Sequence, residues 1–119
     1  MKIESLVANI KQHPDYHRVG MILCHNGVVR GTSRDGRTVT GLSVSVDHQR
    51  LEQVLATGRK SPGIVDIQVE IAADTPLAVG DDVMLLVVAG DIRENVISCL
   101  AGTLDAIKTT VTSKTEFFV

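Results

Sequence analysis

The side chains in this sequence best suited to chemistry are cations placed where structural elements would end. Arg30 closes an apolar, β-prone run, Arg93 falls in the first turn of a helical pattern, Lys108 ends that pattern, and Lys114 follows six residues later. Side chains at element ends can converge on one pocket. A guanidinium beside the free amides of a helix N-terminus can hold an anion such as a phosphate. The residue pattern alone favours the plainer alternative, in which each of these cations is simply solvated. Arg34 and Arg37, at the tip of a polar turn, share that ambiguity.

Other chemistries find less support. His13 and His17 stand four apart, but Pro14 disfavours the helical geometry that would align their rings, so no metal site is expected. His25 and His48 have no sequence neighbours that would make them ligands or bases. Cys24 and Cys99 lack CxxC spacing and are expected to be reduced, buried thiols rather than a disulfide or a nucleophile. A serine nucleophile elbow, a P-loop and a dinucleotide fingerprint are all absent, and no cofactor is implied.

Composition narrows the setting. The 119 residues include 12 basic and 14 acidic side chains, a net charge of −2, which leaves no cation excess to condense on a nucleic-acid backbone. Hydrophobic residues make up 44%, enough for one core, so a single domain over residues 1–119 is expected. Aromatic residues are only 3% and Trp is absent, so that core must be aliphatic, and its Val, Ile, Leu and Thr favour sheet. No run reaches the ~18 apolar residues a membrane span needs, and the N-terminal residues lack the features of a secretory signal. The chain reads as cytosolic and binds neither membrane nor nucleic acid.

The elements that must position the cations follow from periodicity. The N-terminal residues 1–12 have apolar spacing that suits a short helix or a strand. Val19 to Val29 predicts a strand, Asp35-Gly36 a turn, and Val39 to Val46 a second strand, together a β-hairpin with a basic tip. Asp47 can cap a helix whose apolar stripe is Leu51, Val54 and Leu55 and which Gly58 stops. Ile64 to Ile71 alternates as a strand. Ala73 to Asp82 is a loop, and Val83 to Gly90, apolar on both faces, is a central strand. Asp91 and Glu94 have capping-box spacing for a last helix with Val96, Leu100, Leu104 and Ile107 inward, flanked by Ile97 and Ala101. Phe117, Phe118 and Val119 are too apolar for a free tail and suit an edge strand or an oligomer contact. The order β-β-α-β-β-α predicts an α+β fold with helices on a mixed, mostly antiparallel sheet.

Gly20 to Arg30 ending in Gly-x-Val-Arg, Val39 to Leu42, the Leu-x-Val-Gly-Asp turn from Leu77 with the apolar strand behind it, and the final helix with Asp105 to Thr109 and Ser113 to Glu116 follow one another in a set order. In that order they resemble the MoaE family, the large subunit of molybdopterin synthase. The resemblance covers roughly Gly20 to Glu116 and implies an α/β-hammerhead type of fold. It also implies an activity: transfer of sulfur from the thiocarboxylated C-terminal glycine of a ubiquitin-like, MoaD-type small subunit to cyclic pyranopterin monophosphate, in molybdenum cofactor biosynthesis. On that basis Lys108 would be the principal catalytic group and Lys114 would assist. Arg30 and Arg93 would bind the anionic substrate, and the protein would be a homodimer.

Where the family has a His-Arg pair before the last helix, this chain has Ile92-Arg93, and Val46 to Arg50 replaces a His-Tyr-Pro-Gly-Met type segment. A second His-Arg is represented by Ile71-Ala72, and the family's longer C-terminal extension is unmatched. These departures keep open an alternative, a MoaE-like paralogue without catalysis that serves as a binding or regulatory module.

Overall fold

The computed structural model describes all residues 1–119. In chain order it contains α1 (Ile3–Lys11), a 3-10 turn (Tyr16–Arg18), β1 (Met21–Val28), β2 (Val39–Val46), α2 (His48–Arg59), β3 (Ile64–Ile71), β4 (Leu77–Ala78), β5 (Asp82–Gly90), α3 (Arg93–Ala106), a π-helical turn (Ile107–Val111) and β6 (Thr112–Phe118). Two three-stranded antiparallel sheets result, ordered β1-β5-β3 and β4-β2-β6. The fold is mixed α+β, as the periodicity predicts.

β5 is central because it is apolar on both faces. Its alternate residues Met84, Leu86 and Val88 pack with Val54, Leu55, Val96 and Ile107 beneath α2 and α3. Leu85, Val87 and Ala89 point the other way, onto Leu6 and Ile10 of α1. The period-2 alternation of a strand therefore feeds two separate apolar layers, and residues 84–90 are all buried. A third cluster, Val29, Leu42 and Val44, sits between the two sheets with Leu77 and Val83 against it.

The β1–β2 hairpin does not form. β1 pairs with β5, whereas β2 pairs with β4 and β6. The Asp35-Gly36 turn closes only a small loop, with Gly36 at φ +86° and one bridge between Thr32 and Thr38. Ten residues separate the strands, too many for a tight turn to fix their register, so the apolar β5 takes β1 and the connection crosses from one sheet to the other.

Asp47 does cap α2, its carboxylate accepting from the Arg50 amide at 3.0 Å. Gly58 lies within the last turn rather than beyond it, and the helix continues to Arg59. Its role is close approach: a Cβ there would stand 2.6 Å from Ile67 Cδ1 and 3.0 Å from Thr103 Oγ1. Along α3 and into the π-helical turn, Val96, Cys99, Thr103 and Ile107 face inward, with Leu100 and Leu104 half-buried and Ile97 and Ala101 exposed. The capping box also fails to form. Asp91 accepts from the Ile92 amide at 2.7 Å and from Asn95 Nδ2 at 2.9 Å, and Glu94 pairs with its neighbour Arg93 instead. Hydrogen bonding from Asn95 and then from the Ile92 amide holds the Asp91 carboxyl below the usual carboxylate range.

Candidate functional site

The seam between the two sheets opens into a cavity of about 500 Å³, a size that suits a small organic ligand. Its apolar floor comes from Leu42 and Val44 of β2, Ile71 at the end of β3, and Val83 and Met84 of β5. Around that floor stand Arg30, Arg34, Lys108 and Lys114, with Glu116 the sole carboxylate. A chain that is negative overall has gathered four cations at one mouth.

Three of these cations are positioned by different local devices. Arg30 follows the buried Val29, and its Nε donates to the Thr32 carbonyl at 2.7 Å, which fixes the guanidinium. Lys108 is carried by the π-helical turn, where the buried Ile107 and Val111 anchor the backbone on either side of it. Thr109 and Thr110 donate their hydroxyls to the carbonyls of Asp105 and Ala106 at 2.8 and 2.6 Å. Such back-bonding bends a helix, and π-turns of this kind recur at functional sites. On β6, Lys114 and Glu116 share one face because they are two residues apart, opposite Val44 and Leu42 in the ladder. They form an ion pair at 3.8 Å, whereas Lys108, Arg30 and Arg34 pair with no carboxylate.

Three of the four expected site residues, Arg30, Lys108 and Lys114, therefore meet in one cavity. Arg93 does not. It lies at the opposite end of α3, which from its rise per residue is about 20 Å long, with its side chain 79% exposed and paired to Glu94 at 3.2 Å. Two pocket residues carried no usable sequence signal beyond strand alternation. His25 faces the cavity with Gly27 on one side of β1, and Glu116 does so beside Lys114. Burial in the protein, with a further contribution from Lys108, lowers the His25 pKa below its ordinary value.

The cysteines take no part in this cavity. Cys99 is buried, its thiol within 3.7 Å of the Gly58 carbonyl and of Thr103 Oγ1, beside a shallower groove between α2 and α3 in which no charges converge. Cys24 is exposed, contrary to the expectation of two buried thiols, because α1 covers β3 and β5 rather than the β1 edge. Partial desolvation raises its pKa, so it stays a thiol at neutral pH. Phe117 and Phe118 belong to the edge strand β6 and do not enter the cavity, and the Arg37 guanidinium stacks 3.5 Å over the Phe118 ring centroid.

Comparison with known proteins decides the lineage. Residues 1–110 match the family described as MoaE protein. This chain belongs to the MoaE family. A search of curated proteins found no match. Among solved structures, the molybdopterin cofactor biosynthesis protein E of Burkholderia multivorans superposes with a TM-score of 0.77 at 22% identity, over 100% of this chain and 84% of that one. Molybdopterin synthase from Staphylococcus aureus gives 0.74 at 20% identity, over 91% and 85%. A complex of subunits 1 and 2 of the molybdopterin-converting factor from Helicobacter pylori gives 0.71 at 15%, over 100% and 84%. At these identities the likeness is one of fold, the α/β-hammerhead type shared by MoaE proteins. Family membership carries the general sulfur-transfer role in molybdenum cofactor biosynthesis.

Proposed function

We propose that this MoaE protein is the large, catalytic subunit of a molybdopterin synthase. It would take sulfur from the thiocarboxylated C-terminus of a MoaD-type small subunit and deliver it to cyclic pyranopterin monophosphate. The observation that carries this is the convergence of Arg30, Lys108 and Lys114 on one cavity with an apolar floor. The substrate phosphate and the donor tail are both anionic, and the acyl-transfer and hydrolysis steps gather further negative charge on oxygen. Fixed cations would hold the reactants in line and stabilise that charge as it develops. Lys108, free of any carboxylate, is the principal catalytic group, Lys114 assists beside Glu116, and Arg30 binds the phosphate. The two-subunit complex from Helicobacter pylori supports a partner of the small-subunit type.

Arg93 joins this chemistry only through a second copy of the chain, which fits a homodimer acting in the cytoplasm. The placement of Arg93 also favours a second reading. Without such a dimer, the protein is a MoaE-like binding module with an incomplete site. A turnover assay separates the two: thiocarboxylated small subunit and cyclic pyranopterin monophosphate are mixed with the protein, and molybdopterin is measured. Product formation that Lys108→Ala lowers by about a hundredfold supports the catalytic subunit. Association with the small subunit without product supports the module.

A further inference from the structure

His25 is the pocket residue that the cation chemistry leaves without a role. Its Nε2 is buried and has neither donor nor acceptor within the chain, the sole side-chain nitrogen or oxygen in the protein so placed. An unpaired buried polar atom is destabilising and rare in native folds, and it draws attention to whatever would pair it. Residue 27, two along on the same face, is glycine, and a Cβ there would only touch the imidazole, 3.4 Å from Nε2. The aliphatic floor of the cavity supplies no hydrogen-bonding partner, and Arg30, Arg34, Lys108, Lys114 and Glu116 are the charged groups that face the same space. Burial disfavours a cationic imidazole there and Lys108 repels it, which favours the neutral ring at neutral pH.

Resting on the activity proposed above, we propose that His25 is a substrate-contacting residue that reads the heterocycle rather than the phosphate, its Nε2 hydrogen-bonding a polar edge group of the pterin ring system. The division of labour follows from position. The exposed guanidinium of Arg30 and the ammonium of Lys108 suit an anion at the mouth, whereas a neutral imidazole above an aliphatic floor suits a flat, polar, uncharged ring.

The test compares binding of cyclic pyranopterin monophosphate and of inorganic phosphate to the full-length wild type, His25→Phe and His25→Gln by calorimetry. His25→Phe should weaken pterin binding about tenfold, the scale of one neutral hydrogen bond, and leave phosphate binding unmoved, with His25→Gln recovering part of the loss. In the wild type, the His25 ring resonances should shift on adding the pterin and stay in place on adding phosphate, a readout that holds even if His25→Phe fails to fold. Unchanged pterin affinity in the variants, or static ring resonances, overturns the role of His25 alone. A wild type that does not bind the pterin at all overturns the proposed activity, and this contact with it.

Discussion

The two sheets divide the apolar material of the chain unequally. Sheet β1-β5-β3 has helices on both faces, with eleven buried residues in the cluster on one side and five in the cluster on the other. Sheet β4-β2-β6 covers three buried residues on its inner face, and Thr40, Ser45, Ser113 and Thr115 are left in solvent. Stability belongs to the first sheet. The proposed chemistry lies at the seam, where cations stay in water while their backbones are fixed by packed neighbours such as Val29, Ile107 and Val111. Mutations in the two regions should therefore differ in kind as well as in size.

The largest effect is expected at the centre of β5. Leu86 is fully buried, and Leu86→Ala should cost about 2–5 kcal/mol of stability through lost transfer energy and the cavity left behind, measured by urea denaturation. A loss below about 1 kcal/mol would mean that the core collapses around the gap and that the contrast between the sheets is overstated. Lys108→Ala should do the reverse: sulfur transfer falls about a hundredfold while stability stays within about 0.5 kcal/mol, because the side chain is exposed and makes no ion pair. Equal losses of stability and turnover would recast Lys108 as a structural residue. Between these lies Asp47, which caps α2 and whose amide donates to the Val111 carbonyl at 2.9 Å, tying the helix to the π-helical turn. Asp47→Ala should cost about 1 kcal/mol in the same urea experiment, and a neutral result would show that Arg50 and its neighbours hold the helix start unaided.

What could be read from sequence follows the range of the interactions involved. The doubly apolar run at Val83 to Gly90 announced a central strand, and Asp47 announced a helix start, because each depends on its own neighbours. Strand pairing does not. Nothing local tells Met21 to Val28 to prefer a strand some sixty residues away over Val39 to Val46, and the preference comes from the layers β5 must complete. The capping role of Glu94 failed for a similar reason: Asn95 competes for Asp91, and Arg93 takes Glu94. That Arg30, Lys108 and Lys114 share one cavity follows from the family resemblance and not from their spacing. His25 has no sequence neighbours that mark it, because the groups that surround it in the cavity come from elements remote in the chain. Arg93 was expected on the same resemblance, but the length of α3 separates it from Lys108 within one chain.

The smallest expected effect is one of pH. The folded His25 ring has its pKa lowered, first by desolvation and then by Lys108, whereas in the unfolded chain it titrates near about 6.5. Between those two values the unfolded chain binds more protons than the native one, so stability rises with pH across that window and is lost as pH falls through about 6.5. Because the ring is only part-buried, solvent screening keeps the slope shallow. Urea midpoints measured from about pH 7 down to about pH 5 should therefore fall less steeply for His25→Phe than for the wild type. Leu86→Ala should shift every midpoint downward, since the loss of packing in the core acts at all pH values. Parallel curves for His25→Phe and the wild type would show that the ring titrates alike in both states, and the seam would then lose its distinction from the core in pH response.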